Sequence, residues 1–239
     1  DLTKLKEIQD KASKMYGFRP VIIEDCAHAL GSKFEDKLIG THGNICTFSF
    51  QAIKHMTSVD GGALVLPHKE LYRRAKLLRW YGIDRESDRK DFRCEADIPE
   101  WGFKFHMSDV NASIGMANLM EVEENVIRKH KENGKYYDEA LKGIEGITLF
   151  ERDPRMESSF WIYSLLVERK EDFTKHMKDH GIATSQVHER NDIHSCLSEF
   201  KAQLPNLDKI KGKLTAIPVG WWVSKEDREY IVEVIKKGW

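Results

Sequence analysis

Two short apolar runs, each ending in polar residues, constrain the fold of this chain more than any other feature. The first run, residues 21–23, lies in a stretch predicted as a strand over residues 18–24 and is followed by the carboxylate pair Glu24 and Asp25. The run has no alternation of apolar and polar residues, which predicts a strand buried on both faces of a parallel sheet. The second run, residues 44–50, carries Ser49 near its end. Polar residues that follow such strands lie in the crevice where open α/β sheets bind ligands.

The rest of the chain predicts an α/β fold in two parts. A large domain is expected over residues 1–134 and a smaller α+β domain over residues 135–239. The charge-rich stretch 82–100 has the length of a functional loop. Serine followed by acidic residues at Ser224 predicts the start of a helix. Helices are predicted over residues 2–16, 70–80 and 171–180 and after Ser224, and residues 109–141 are predicted to form two helices or one long bent helix. Further strands are predicted over residues 62–66, 147–150, 161–168 and 183–187.

Composition narrows the class of protein. A chain of 239 residues can bury a sizeable core. The formal net charge is −1, without blocks of like charge, so binding to nucleic acid or to an anionic membrane has no support. No apolar run approaches the roughly 20 residues that span a bilayer. The four cysteines show no CxxC spacing, which favours a reducing cytosol over disulfides or zinc. They are Cys26, Cys46, Cys94 and Cys196.

Lys54 is the candidate nucleophile. It follows the second apolar run and precedes the glycine pair Gly61 and Gly62 in an otherwise apolar stretch. Desolvation in such a setting lowers the pKa of a lysine, as an imine-forming amine requires. A lysine with an aspartate such as Asp25 suits pyridoxal phosphate (PLP), because the aspartate pairs with the protonated pyridine nitrogen. Taken singly, Lys54 is also compatible with a surface charge and Asp25 with a turn cap.

Ser49 and His28 have two interpretations each. The hydroxyl of Ser49 is suited to a phosphate, or Ser49 is an ordinary strand serine. His28 is suited to orient the Asp25 carboxylate or to lie against a ring, or it is a packed histidine. Their spacing alone does not decide between these interpretations.

Three motifs occur in the order and spacing of one family. They are EDCAHALG at residues 24–31, SFQAIK at residues 49–54 followed by DGG at 60–62, and WGFKFHMSDVNA at 101–112. With them the chain resembles, from end to end, the DegT/DnrJ/EryC1/StrS family of PLP-dependent aminotransferases, which mostly aminate nucleotide-linked keto sugars. The resemblance implies a type I aminotransferase fold, with a mixed or parallel sheet in the large domain, and a cytoplasmic homodimer with shared active sites.

The resemblance also implies roles for individual residues. Lys54 corresponds to the Schiff-base lysine and Asp25 to the partner of the pyridine nitrogen. His28 corresponds to a residue beside the ring and Ser49 to a phosphate contact. The implied amino donor is glutamate and no metal is implied. Lys104 and His106 correspond to a segment that extends to the neighbouring subunit's cofactor, and His188 and Arg190 to the region that meets the sugar nucleotide.

The chain departs from the family pattern at several points. Asp60 replaces the commoner glutamate, His106 stands where arginine or asparagine is usual, and residues 188–194 differ from the usual motif. Family members carry a long segment before the first helix, so we expect this chain to be the C-terminal portion of a longer enzyme with an incomplete large domain. The alternatives are a non-catalytic subunit completed by a separate N-terminal chain, and an aminotransferase of a cyclitol-type ketone. Sugar dehydratases of the family have histidine in place of the lysine, so Lys54 argues against that activity.

Overall fold

The computed structural model describes residues 1–87 and 97–239. They form two compact units, Asp1–Val122 and Glu123–Trp239. The predicted domain boundary between residues 134 and 135 stays a prediction. Cys94 and part of the predicted 82–100 loop lie outside the described residues. Within the described part of the chain, every helix is too short or too polar to cross a bilayer.

The first unit contains a mixed sheet. Strand β1 (Ile23–Asp25) is parallel to β4 (Ile45–Ser49), and β4 is antiparallel to β5 (Gly62–Val65), in the order β1-β4-β5. Between β1 and β4, the strands β2 (Lys33–Phe34) and β3 (Lys37–Leu38) form a small antiparallel pair that the sequence did not predict. The mixed sheet confirms the predicted α/β class.

The predicted strand over residues 18–24 is wrong in extent and in burial. Only Ile23–Asp25 is strand, and Ile23 is 65% exposed rather than buried on both faces. Pro20 has no amide N–H to donate to a sheet, and its carbonyl accepts a hydrogen bond from Nε2 of Gln9 at 2.6 Å. Residues 18–22 are therefore held against the first helix, and β1 begins late at the edge of the three-stranded sheet.

The first unit has three helices, α1 (Leu2–Tyr16), α2 (Lys69–Leu78) and α3 (Asp109–Val122). The first two agree with the sequence predictions to within two residues. The helical stretch predicted over residues 109–141 begins as predicted but is not continuous, because α3 is followed by a π-helix and a separate helix. The carboxylate of Asp1 accepts a hydrogen bond from the Lys4 amide at 3.1 Å and so caps α1. Gly17 ends this helix in the left-handed conformation, with φ 73°.

The second unit is α+β, as predicted. Its sheet has the antiparallel order β6-β8-β9. The central strand alternates, so that Tyr163, Leu165 and Val167 are fully buried. In chain order the elements are a π-helix (Glu123–Ile127), α4 (Arg128–Ala140), β6 (Ile147–Thr148), β7 (Met156–Glu157), β8 (Tyr163–Val167), α5 (Lys170–Asp179), 3-10 turns at Asn191–Ile193 and Ser195–Phe200, α6 (Pro205–Lys211), β9 (Leu214–Ile217) and α7 (Lys225–Lys236).

Two local predictions in the second unit have opposite outcomes. The strand predicted over residues 183–187 is wrong, because only Ser185 pairs, as an isolated bridge to Ala216 of β9. The outer strand of this sheet is instead β9, which the sequence analysis did not predict although threonine and isoleucine favour strands, and its residues Thr215, Ala216 and Ile217 are buried. The predicted start of α7 at Ser224 is confirmed, and its hydroxyl accepts from the Asp227 amide at 3.0 Å in a capping box.

Gly134 provides a test of packing in the core of the second unit. It lies on α4, and a Cβ atom added there would be 2.3–2.6 Å from three ring atoms of the buried Phe160. In an open helix, Gly→Ala stabilises by about 1 kcal/mol. Here we expect Gly134→Ala to destabilise by roughly 1–3 kcal/mol, because the ring has to shift within a packed core. Urea unfolding measures the difference.

Gly212 is the matched control, because an added Cβ atom there meets no heavy atom within 4 Å. Its φ of −83° is accessible to alanine. We expect Gly212→Ala to change stability by less than about 0.5 kcal/mol. A Gly134→Ala chain as stable as the parent would show that the Phe160 ring does not limit the space at α4.

Candidate active site at the end of the first sheet

The parallel pairing of β1 with β4 brings the candidate polar residues to one end of the sheet. Asp25 is opposite Thr47, and Ser49 ends β4 two residues further on. The Asp25 side chain is exposed, and its Oδ1 atom accepts a hydrogen bond from the Ala27 amide at 3.1 Å. This bond fixes the exposed carboxylate at the strand end.

Lys54 lies near Asp25. Its side chain is half-buried, and desolvation lowers the pKa of the amine, while the negative charge of Asp25 acts in the opposite direction. The Lys54 amide donates to the Gln51 carbonyl at 3.0 Å in a turn directly after β4. A lysine with a lowered pKa has a larger neutral fraction near pH 7, which is the form that attacks a carbonyl carbon.

Ser49 and His28 flank this pair in the sequence. Ser49 is half-buried at the end of β4, and its hydroxyl oxygen accepts from the Gln51 amide at 3.4 Å. His28 is exposed in the turn after β1 that closes with the Ala29 amide donating to the Cys26 carbonyl at 2.9 Å. Both side chains belong to segments that leave the same end of the parallel strand pair.

Lys54 is carried by the lysine loop, which we define as residues 50–61 between β4 and β5. The loop closes through two backbone hydrogen bonds of Phe50, whose amide donates to Gly61 at 2.8 Å and whose carbonyl accepts from Ser58 at 2.9 Å. Val59 adopts φ 72°, a strained conformation for a β-branched residue. Its amide donates to the hydroxyl of Thr57 at 2.9 Å. Such strain persists only where the surrounding contacts fix the backbone.

Helix α3 supplies those contacts. The side-chain amide of Asn118 donates to the Thr57 carbonyl at 2.8 Å, and that of Asn111 donates to the Asp60 carbonyl at 2.9 Å. Between them, Gly115 approaches the loop so closely that an added Cβ atom would lie 3.0 Å from Cβ of Ser58. The helix therefore holds the lysine loop by two amide hydrogen bonds and one close contact.

Lys104 and His106 lie against the end of α2. Lys104 forms a β-bridge with Trp80, and the His106 ring lies 3.7 Å from the Trp80 ring, centroid to centroid. Desolvation lowers the pKa of His106, and the positive charge of Lys104 lowers it by a smaller amount. The buried Nδ1 atom of His106 has no hydrogen-bond partner among residues 1–87 and 97–239. A neutral imidazole with an unused ring nitrogen is suited to a polar ligand or partner.

His188 and Arg190 belong to the second unit. His188 is exposed and lines a small surface cavity together with Leu207 and Lys211. Arg190 is largely buried and donates to both carboxylate oxygens of Asp192, to Asp208, and at 2.8 Å to the Ala202 carbonyl. Arg190 lowers the pKa of Asp192 to about 2.

The residues that hold the lysine loop were not identified from the sequence. Asn111 and Asn118 are seven residues apart on a predicted helix, so both lie on one face, with Gly115 between them. That spacing indicates two side-chain amides on the same helix face. The partners of the two amides are main-chain carbonyls more than fifty residues away, at separations of 51 and 61 residues. Side-chain pattern alone does not reveal such partners.

The proximity of Asp25 and Lys54 predicts a pH effect. Because the Asp25 carboxylate raises the pKa of Lys54 against the desolvation effect, Asp25→Asn should lower that pKa further. Competitive acetylation followed by mass spectrometry, as a function of pH, measures it. The half-maximal reactivity of Lys54 should move to lower pH in Asp25→Asn and stay in place in the control Asp36→Asn. Equal profiles in all three chains would place the carboxylate too far away to act on the amine.

The contact between Asn118 and Thr57 predicts a local stability effect. Asn118→Ala leaves the Thr57 carbonyl without its side-chain donor, which costs about 1–2 kcal/mol. Amide hydrogen exchange in the lysine loop should accelerate by roughly tenfold for each 1.4 kcal/mol. Met120→Ala is the control, because Met120 is on the same helix and 86% exposed. Unchanged exchange at Ser58 in Asn118→Ala would mean that α3 does not hold the loop.

Known proteins match this fold over its whole length. The structure of AtS13 from Actinomadura melliaura superimposes with a TM-score of 0.94 and 47% identity, over 100% of this chain and 63% of that one. The structure of the sugar aminotransferase CalS13 from Micromonospora echinospora superimposes with a TM-score of 0.93 and 43% identity, over 100% of this chain and 64% of that one. A UDP-4-amino-4,6-dideoxy-N-acetyl-beta-L-altrosamine transaminase of Campylobacter jejuni is 27% identical, over 99% of this chain and 64% of that protein. The chain thus spans less than two thirds of each relative.

The match to a family model is equally extensive. Residues 2–236 match the DegT/DnrJ/EryC1/StrS aminotransferase family, whose members are PLP-dependent enzymes. The three motifs that carry the sequence resemblance, including Lys54 and Asp25, all fall within that match. The chain therefore belongs to the DegT/DnrJ/EryC1/StrS aminotransferase family.

Proposed function

We propose that this chain is the lysine-bearing portion of a PLP-dependent aminotransferase. The complete enzyme transfers an amino group, with glutamate as donor, to a nucleotide-linked keto sugar. The observation that carries the proposal is the half-buried Lys54, with its pKa lowered by desolvation, beside the exposed carboxylate of Asp25. The chain spans 63% and 64% of its two relatives of known structure, so the activity is assigned to the complete enzyme.

The donor set fits PLP. The cofactor requires an amine for its aldehyde, a carboxylate for its pyridine nitrogen and hydrogen-bond donors for its phosphate. Lys54 supplies the amine, and the exposed carboxylate of Asp25 is assigned to the nitrogen. The hydroxyl of Ser49 lies at the end of the neighbouring strand. We assign His28 to a position beside the pyridine ring of the cofactor.

PLP, when bound, supplies an electron sink for the amino group's α-carbon. Asp25 keeps the pyridine nitrogen protonated, because a carboxylate stabilises the positive charge on that nitrogen. Lys54 would hold the cofactor through its amine. The neutral amine of Lys54 would also act as a general base that removes and returns the proton at the substrate carbon. The lowered pKa serves both roles, since each requires the unprotonated amine.

The substrate assignment is supported by the named relatives. A UDP-linked amino sugar transaminase and a sugar aminotransferase both align with nearly all of this chain. We assign substrate contacts in the second unit to His188 and Arg190. All of the guanidinium nitrogens of Arg190 donate to Asp192, Asp208 or Ala202, so a contact with the sugar nucleotide exchanges one of these bonds.

The proposed assembly is a cytoplasmic homodimer with shared active sites. Lys104 and His106 are assigned to the cofactor of the neighbouring subunit. The support in this chain is the His106 ring, whose pKa is lowered by desolvation and whose buried Nδ1 atom has no hydrogen-bond partner among the described residues. The large exposed apolar side chains of the same segment, Trp101 and Phe105, are 75% and 76% exposed. Such a surface is typical of an interface.

Reduction with borohydride in the presence of PLP tests the cofactor site. We expect a new absorbance band on addition of PLP, loss of the band on reduction, and a stable pyridoxyl label on Lys54 by peptide mass spectrometry. Lys54→Arg should abolish the label, because the guanidinium does not form the bond. Lys69→Arg, an exposed lysine at the start of α2, should keep it.

The outcomes separate the proposal from its alternative. A label that persists in Lys54→Arg, or that spreads equally over surface lysines, would contradict the assignment of Lys54. No label on a folded parent chain, followed by labelling once a separate N-terminal chain is added, would identify this chain as a subunit that is incomplete alone. Amination of a nucleotide-linked keto sugar with labelled glutamate then tests the reaction itself.

A further inference from the structure

Two buried thiols and a carboxylate converge in the first sheet. The sulfur atoms of Cys26 and Cys46 and a carboxylate oxygen of Glu24 all lie within 4.8 Å of one another. The Cys46 thiol donates to the Glu24 carboxylate at 3.6 Å, and the Cys26 thiol donates to the Glu24 carbonyl at 3.5 Å. The two cysteines are 2% and 0% exposed. Within residues 1–87 and 97–239, this is the one cluster of three such donors.

The cluster lies on the opposite face of the sheet from the candidate active site. Side chains alternate along a strand, so Glu24 and Cys26 point to one side of β1 and Asp25 to the other. Glu24 is paired with Cys46 in the parallel register, which places both on that same side. The chemistry proposed for Asp25 and Lys54 does not use these three residues.

We propose that Glu24, Cys26 and Cys46 form a binding site for a thiophilic divalent cation of the zinc type. Thiolate sulfur is the preferred ligand of such ions, and a carboxylate commonly completes the set. A tetrahedral ion with bonds of about 2.0–2.3 Å holds its ligand atoms roughly 3.3–3.8 Å apart. Donor atoms already within 4.8 Å of one another need to approach by at most about 1–1.5 Å for each pair. Binding releases the two thiol protons to solvent.

A further contact orients the carboxylate. The side-chain amide of Asn44 donates to Oε1 of Glu24 at 2.8 Å, the same oxygen that accepts from Cys46. Hydrogen bonds of this kind fix the direction of ligand side chains in metal sites. The Asn44 carbonyl lies 3.6 Å from the Cys46 sulfur and adds an oxygen close to the cluster. Glu24 and Asn44 are only half-buried, which gives an ion a route from solvent.

The test uses cadmium ions and the full chain, reduced and without PLP. Cadmium bound to thiolates gives an ultraviolet sulfur-to-metal charge-transfer band. We expect one ion per chain by equilibrium dialysis. Cys26→Ser and Cys46→Ser should each remove the band and lower the affinity by at least about tenfold, and Glu24→Gln should lower it by roughly tenfold. Cys196→Ser, the exposed free cysteine, is the matched control and should leave both unchanged.

A second measurement does not depend on the folding of the variants. In the parent chain, bound cadmium should slow alkylation of Cys26 and Cys46 by at least about tenfold and leave the alkylation rate of Cys196 unchanged. No binding by the folded parent, or a band that disappears in Cys196→Ser instead, would overturn the proposal. Because PLP is absent throughout, neither result depends on the outcome for Lys54.

Discussion

The parallel pairing of β1 with β4 is the interaction on which the candidate site depends. Its register sets Asp25 opposite Thr47 and Glu24 opposite Cys46. Because side chains alternate along both strands, one backbone ladder sorts the polar residues of the unit into two groups on opposite faces. A shift of the register by one residue would exchange those faces. Only three residues of β1 are paired with β4, so this short ladder positions both the Asp25 side and the Glu24 side of the sheet.

The lysine loop shows how a flexible side chain is given a defined environment. Its backbone contains the left-handed Val59, which is unfavourable in isolation. Two amide groups of α3 bind the carbonyls on either side of that residue, and Gly115 allows the helix to approach. The charge environment of Lys54 is thus set by contacts that Lys54 itself does not make. Reactive residues are commonly positioned in this way, by supporting contacts that the surrounding scaffold makes.

The sequence predicted the elements whose signals are local. The helix periodicity of α1, the capping residues at Ser224 and the strand ending at Ser49 are all read from neighbouring residues, and the structure confirms them. The motifs with Asp25 and Lys54 identified the family for the same reason. The roles of the individual site residues stay predictions, since they concern a cofactor and a partner.

What the sequence did not predict depends on contacts between distant residues. The strand predicted over residues 18–24 was too long because the hydrogen bond from the Gln9 side chain to the Pro20 carbonyl is a tertiary contact. The short strand β9 was not predicted, although Thr215 and Ile217 favour strands, because its place in the sheet is set by pairing with β8. Cys26 and Cys46 were judged by their spacing along the chain, whereas their proximity arises from neighbouring strands.

The attachment of the lysine loop to α3 has a consequence for the order of events during synthesis. The donors at positions 111 and 118 leave the ribosome after the carbonyls that they bind, which precede them by 51 and 61 residues. Until α3 has emerged, the strained backbone at Val59 lacks the contacts that offset its cost. The nascent loop therefore lacks its two side-chain donors after the residues of the strands on either side have been synthesised. In a growing polypeptide, the reactive lysine acquires its final surroundings only when the first unit is nearly finished.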